Sequence, residues 1–123
     1  MSIPIVDVYD ALYRMGFKGD NTGFFYLAYA AYLCLNSPHP ELMLNEQLYA
    51  MVGKRYHARA KQVRRRIFRT IDCVWNTSPQ QMIDLTGISR DHYPGGLETT
   101  RLLIGCVWFN HKKTANSLWR LKI

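Results

Sequence analysis

One segment of the sequence, residues 59–76, has the spacing of a single amphipathic helix. Apolar residues recur every three or four positions and fall on one stripe at about 100° per residue. Arginine and glutamine occupy the opposite stripe. Because such a helix is stable only when its apolar stripe is covered, the rest of the chain must build a core around it. The stripe consists of Ala60, Val63, Ile67, Ile71 and Val74.

The other periodic segments also predict helices. We expect them over residues 4–15, 23–35, 45–56 and 97–112, with Asn21 or Thr22 capping the second, and with residues 40–44 able to form one helical turn. A short helix should start at Ser78–Pro79 and end by Gly87. No alternation is long enough for a sheet, so we predict an all-α fold of about six helices. The tail, 114–123, can be helical or extended.

The 123 residues suffice for a single domain covering positions 1–123. The longest apolar run, 24–35, is too short to span a bilayer, and the first residues do not resemble a secretory signal, so we expect a cytoplasmic protein that is not bound to a membrane. The three cysteines form no C-x-x-C pair, which indicates reduced core residues and no metal site. They are Cys34, Cys73 and Cys106.

Neither catalysis nor a small-molecule substrate is indicated. The four histidines are scattered, and the adjacent Asp91 and His92 do not indicate a catalytic pair, because neighbouring residues seldom converge on one reactant. The loop at residues 93–96 lacks the glycine and lysine spacing of a phosphate-cradling loop. We therefore expect no enzyme activity and no cofactor.

In the last predicted helix, burial is expected for Leu102, Leu103, Cys106, Val107 and Phe109.

The net charge of +7 is concentrated in one part of the chain. Eight of the sixteen basic residues lie between Lys54 and Arg69, and no acidic residue occurs from Gln47 to Ile71. Without those eight, the chain has eight basic and nine acidic residues, a net charge of −1. A charge run usually forms a solvated face, but such faces normally mix both signs. A cluster of one sign instead favours binding to nucleic acid.

The segments 45–56 and 59–76, separated by a short break, have the layout of a helix-turn-helix. In that geometry the first turns of the second helix meet base edges in the major groove, where Arg pairs with guanine and Gln with adenine. The residues predicted to read bases are Lys61, Gln62, Arg64 and Arg65, with Arg64 nearer the buried side of the helix. Those predicted to bind phosphates are Lys54, Arg55, His57, Arg59, Arg66 and Arg69.

Three stretches, residues 12–27, 48–56 and 60–75, carry a family resemblance. The chain resembles the C-terminal DNA-binding effector domain of the sporulation-initiation response regulators of endospore-forming bacteria. The similarity covers roughly residues 8–112 and is specific from 12 to 76. It implies an all-α domain with a helix-turn-helix, whose recognition helix ends at Trp75, and binding to a short DNA box, often by paired domains.

The chain departs from the family pattern where bases are read. By the resemblance, the family's base-reading positions fall on Gln62, Arg64 and Arg65. Arg65 matches the family, whereas Gln62 replaces an arginine and Arg64 a glutamate, so we expect a DNA preference that differs from the family's own box. Only seven residues precede the similar region, so we expect a stand-alone effector without a receiver domain, either constitutive or controlled by expression or by a partner.

The apolar segment 24–35 has two interpretations. A helix that is apolar on all sides is buried, either in its own fold or by a neighbouring molecule. The segment is therefore either a central core helix or a self-association surface, and the latter would make a homodimer.

Two functions follow from the sequence. The first is a sequence-specific transcriptional regulator that binds double-stranded DNA and is associated with the nucleoid. The second is a stand-alone interaction protein that pairs with or antagonises a full-length sporulation-type regulator. Binding of any duplex by the purified chain distinguishes them.

Overall fold

The structure is a computed structural model that describes the backbone of residues 2–121 and the side chains of residues 2–112. Within that part the fold contains helices and no strand, which confirms the all-α prediction. The element beyond the six main helices is a single turn, α3. The helices are α1 (Ile5–Arg14), α2 (Thr22–Leu35), α3 (Pro40–Met43), α4 (Gln47–Tyr56), α5 (Ala60–Thr77), α6 (Gln80–Thr86) and α7 (Gly96–Leu121).

Helix α2 is the centre of the fold and packs against α1, α3, α4, α5 and α7. The side chain of Asn21 caps it by accepting a hydrogen bond of 2.9 Å from the Phe24 amide, as predicted. Most of its side chains are buried within the chain, while Phe25 is 38% exposed. The apolar character of α2 is therefore explained largely by burial in its own fold. Its buried residues are Gly23, Phe24, Tyr26, Leu27, Ala28, Ala30, Ala31, Cys34 and Leu35.

Helix α5 lies across α2 with its apolar stripe against the core, as predicted. The two helices approach closely at Gly23, where a Cβ atom would collide with the backbone carbonyl of Arg66. Only glycine permits this approach. The close contact holds the basic side of α5 at the start of α2. The buried stripe is Val63, Ile67, Thr70, Ile71 and Val74.

The segment after α5 folds back onto that helix. Pro79 caps α6, one residue later than predicted, and Gly87 ends α6 with a positive φ of 75°. Further along, the Tyr93 phenol donates a hydrogen bond to the Asp72 carboxylate, and its ring packs edge-on against Trp75 with centroids 6.2 Å apart. Burial and the Asp72 carboxylate raise the pKa of Tyr93. These contacts fasten the loop to the C-terminal half of α5.

Helix α7 begins at Gly96 and continues to Leu121, so the tail that the sequence left open is helical up to that residue. Leu103, Ile104 and Val107 are buried, and the His111 side chain lies 2.7 Å from the Asp7 carboxylate of α1. The expected burial of Phe109 is wrong, because its side chain is 68% exposed.

The three cysteines lie in three different environments. Cys34 is fully buried in α2, and burial raises the pKa of its thiol to about 11. Cys106 is half-buried in α7, where burial also raises the pKa of the thiol. Cys73 is exposed, so its expected place in the core is wrong. It lies four residues after Arg69, on the same side of α5 as the charged residues. Its position on the helix, and not the apolar character of its neighbours in the sequence, therefore determines its exposure.

Candidate nucleic-acid interface

The turn between α4 and α5 is a tight three-residue connection. His57 adopts a left-handed conformation with φ of 56°, and the Ala58 amide donates a hydrogen bond of 2.9 Å to the Gly53 carbonyl. A Cβ atom on Gly53 would collide with the Ala58 carbonyl. The glycine therefore lets the turn fold back against α4 and fixes the direction in which α5 leaves.

The N-terminal end of α5 has no negative charge near it in the sequence. Arg59 is the N-cap residue and is extended, and no side chain caps the helix. The first turn contains no acidic residue. Because the amide groups at a helix start carry a partial positive charge, this end adds to the potential of the basic side chains.

All ten residues predicted to contact DNA are exposed to solvent. Six of them surround one shallow cleft of about 430 Å³ along α5. The cleft combines three of the four predicted base readers with three of the predicted phosphate ligands. It is lined by Arg59, Lys61, Gln62, Arg65, Arg66 and Arg69. We call these six residues the basic cleft.

Lys54, Arg55 and His57 lie outside the basic cleft, at the end of α4 and in the turn. The Arg55 guanidinium lies over the Tyr56 ring, 5.5 Å from its centroid, an arrangement that favours a fixed orientation for the charge. These three residues extend the positive surface beyond the start of α5.

Arg64 also lies outside the basic cleft and points along the flank of α5. Its Nε is 3.9 Å from the Glu46 carboxylate, and its guanidinium carbon lies 5.2 Å from the centroid of the Phe68 ring. The pair is exposed, with 54% of the Arg64 and 72% of the Glu46 side chain accessible, so the attraction is weak. The structure therefore places this predicted base reader apart from the other three.

Almost all of the basic charge lacks a nearby counterion. Among the side chains of residues 2–112, Arg64 is the only member of the eight-residue cluster with a carboxylate within 4.0 Å. Uncompensated cations on one face create a positive potential that attracts polyanions. This surface is therefore electrostatically suited to a phosphate backbone.

The sequence did not indicate that the start of α2 borders this surface. A second cleft of about 420 Å³ runs from Arg66 and Arg69 to Thr22 and Gly23, past Cys73. The neighbouring positions are more than forty residues apart in the chain, so helical periodicity cannot bring them together. The small residue Gly23 is the one local sign of a close helix approach.

A comparison with protein-family models places this arrangement in a known family. The model described as "Sporulation initiation factor Spo0A C terminal" matches residues 8–96, more than half of the chain. The chain belongs to this family. A search of curated protein sequences gave no match.

Membership in the Spo0A C-terminal family establishes a domain of the DNA-binding kind found in sporulation regulators, and not a catalytic family. All the residues of the basic cleft lie inside the matched region. The match ends at residue 96, where α7 begins, so α7 lies almost entirely beyond the matched region. The resemblance inferred from the sequence extended further, to about residue 112.

Two other observations concern only the described part of the chain. No helix there is long and apolar enough to cross a membrane. In that same part, no three His, Cys, Asp or Glu side chains come together as a metal site requires.

Proposed function

We propose that this protein is a sequence-specific transcriptional regulator that inserts the first half of α5 into the major groove of double-stranded DNA. The observation that carries the proposal is the basic cleft, an exposed cationic surface at the start of the second helix of a helix-turn-helix. The B-DNA major groove is about 12 Å wide and admits one α-helix. Such a regulator works in the bacterial cytoplasm, at the nucleoid.

Base reading is assigned to Lys61, Gln62 and Arg65. These residues lie within five successive positions of α5, about 6 Å along the helix axis, which corresponds to about two base-pair steps. Arg65 has the fork geometry for guanine and Gln62 the amide for adenine. Because one domain reads so short a DNA sequence, binding of two domains to adjacent sites increases the sequence specificity.

Phosphate binding is assigned to the basic residues around this reading surface. Arg66 and Arg69 lie where the basic cleft meets the start of α2, and Arg59 lies at the start of α5. Lys54, Arg55 and His57 continue the surface along the end of α4 and the turn. Contacts of this kind fix the position of a protein on DNA and carry no sequence information themselves.

Arg64 can contact a base only after its side chain changes position. Its side chain must leave Glu46 and the Phe68 ring before it reaches a base edge. The two contacts are exposed and weak, so DNA can replace them. We therefore expect Arg64 to contribute less to sequence preference than Arg65.

The decisive experiment is selection of bound duplexes from a random DNA pool by the purified chain at a fixed salt concentration. We expect enrichment of a short motif, and an affinity for it that falls as a power of the salt concentration with a slope set by the number of phosphate contacts. Binding without enrichment would leave a non-specific basic protein. No binding at all would favour the other function.

The second candidate is a protein that pairs with or antagonises a full-length sporulation-type regulator. The observation in its favour is an exposed apolar groove between α1, α6 and α7. A chain that binds no duplex alone, but lowers the DNA affinity of such a regulator, would support this function. Homodimer formation is compatible with both candidates.

A further inference from the structure

The start of α2 and the exposed side of α5 enclose a cleft that continues the basic cleft. Its volume is about 420 Å³, and Arg66 and Arg69 line both clefts. Arg66, Arg69 and Cys73 follow one another at intervals of three and four residues, so they lie on one side of α5. We call this second cleft the α2 cleft. Its other lining residues are Asp20, Asn21, Thr22, Gly23, Thr70 and Cys73.

Two main-chain donors at the start of α2 have no acceptor. The side chain of the N-cap residue Asn21 accepts a hydrogen bond from the Phe24 amide only. Among the described residues, no acceptor is bonded to the amide of Thr22 or Gly23. Both residues line the α2 cleft, and Gly23 is buried, where an amide without an acceptor is rare. Free amides at the start of a helix, together with the helix dipole, favour binding of an anion.

A buried hydroxyl group lies at the same place. Thr70 of α5 is 5% exposed and lines the α2 cleft, and a Cβ atom added to Gly23 would lie 3.1 Å from the Thr70 Cβ. Three other helical threonines donate their hydroxyl groups to the carbonyl four residues earlier, whereas Thr70 makes no such bond in the described part of the chain. Its hydroxyl is therefore available to a group bound in the cleft. The three others are Thr77, Thr86 and Thr100.

The charges of the α2 cleft suit a phosphate group. Within residues 2–112, neither Arg66 nor Arg69 has a carboxylate within 4.0 Å. Asp20 is the one acidic residue that lines the cleft, and its carboxylate accepts a hydrogen bond of 3.1 Å from the Asn21 side chain. The arginines therefore keep their full charge. A phosphate group offers several acceptor oxygens, which matches two amides, a hydroxyl and two guanidinium groups around one space.

We propose that the α2 cleft binds one backbone phosphate of double-stranded DNA through the two free amides and the Thr70 hydroxyl, with the two arginines balancing its charge. This inference rests on the proposed function, because the phosphate belongs to the duplex whose major groove α5 enters. The α2 cleft adjoins the basic cleft at Arg66 and Arg69, so one duplex reaches both. A phosphate held by α2 and α5 together fixes the angle at which α5 enters the groove.

The first test removes a single amide hydrogen. Proline lacks an N–H and is favoured at the first position of a helix, which Thr22 occupies, and the extended backbone of Asn21 is compatible with a following proline. We expect Thr22→Pro to weaken binding to selected and random duplexes alike, about tenfold. The salt slope should not change, because no charge is lost. Thr22→Ala keeps the amide and is the matched control, with an expected change below about twofold.

Thr70→Val tests the hydroxyl, because it keeps the shape of the side chain and removes the donor. We expect an affinity loss of about threefold on both duplexes. Thermal unfolding followed by circular dichroism shows that each variant is folded. Equal affinities for Thr22→Pro and the unmodified chain overturn the proposal, as do equal losses for Thr22→Pro and Thr22→Ala. An unmodified chain that binds no duplex is a different result, since it rejects the proposed function as well.

A second measurement uses the unmodified chain and does not depend on the folding of a variant. Cys73 is exposed and lines the α2 cleft, so a phosphate bound there should shield its thiol from alkylation by a maleimide. We expect a saturating duplex to slow alkylation of Cys73 about fivefold, and the same concentration of inorganic phosphate to leave it unchanged. Peptide mass spectrometry measures both rates. An alkylation rate that the duplex does not change overturns the proposal, as does slowing by inorganic phosphate alone.

Discussion

The basic cleft and the groove between α1, α6 and α7, called the α7 groove, are both exposed surfaces. They differ in how well the sequence predicts their exposure. The basic cleft consists of five cationic residues and Gln62, all on α5 or at its N-cap, inside the family match and away from the core stripe. The α7 groove mixes apolar with charged side chains, and six of its eleven lining residues lie on α7, beyond that match. The exposure of a charged residue can be predicted from the sequence alone, since unpaired arginines are seldom buried. The exposure of an apolar residue cannot, because protein cores and protein interfaces use the same apolar side chains.

The glycines give the largest contrast between the two regions. We expect Gly53→Ala to destabilise the fold by about 3 kcal/mol, because the added Cβ collides with the Ala58 carbonyl in the helix-turn-helix. Gly105→Ala should have the opposite sign and stabilise the monomer by up to about 1 kcal/mol, since its Cβ meets nothing. Urea unfolding followed by circular dichroism at low protein concentration measures both. Equal effects at the two glycines would contradict the comparison.

The second prediction separates base reading from phosphate binding within the basic cleft. Arg65→Ala should weaken binding to a selected duplex by about 1–3 kcal/mol and reduce the preference over random DNA. Arg66→Ala should weaken binding to both duplexes alike and lower the salt slope by about 1. Fluorescence anisotropy at several salt concentrations measures these effects.

Arg90→Ala is the control for this pair, because Arg90 is exposed and outside the basic cleft. We expect it to change neither affinity nor slope appreciably. If Arg65→Ala reduced binding to selected and random duplexes equally, the base-reading role of Arg65 would be wrong.

The difference between the regions also explains what the sequence could predict. The predicted bounds of α4 and α5 differ from the observed ones by at most two residues, and the α5 stripe is buried as expected except for Ala60, which is partly buried. Both features follow from local periodicity. The flank position of Arg64 depends on Glu46, which belongs to another part of the chain. The exposure of Phe109 depends on how far α1 and α6 extend beside α7. Neither is a local property.

The third prediction concerns the core on which both surfaces rest. The Cys34 thiol has a pKa raised from 9.0 to about 11 by burial, so the folded state keeps a proton that the unfolded state releases. Stability should be fully present below about pH 9 and fall as the pH rises towards 11, by roughly 2 kcal/mol. Urea unfolding across this range measures the loss. Cys34→Ala should reduce this loss by that amount, while the contributions of Cys106 and Tyr93, whose pKa values are also raised, remain. A profile unchanged by Cys34→Ala would show that other groups cause the loss.

The smallest expected effect is at the edge of the basic cleft. Glu46→Gln removes the carboxylate that lies 3.9 Å from Arg64, so Arg64 is freed and one repulsion with DNA phosphates is lost. We expect the affinity for DNA to rise about twofold, less than 0.5 kcal/mol, because the pair is exposed. The control is Glu41→Gln, an exposed glutamate of α3. If the gain acts through Arg64, it disappears in an Arg64→Ala background, whereas a gain that persists there would come from the change in net charge alone.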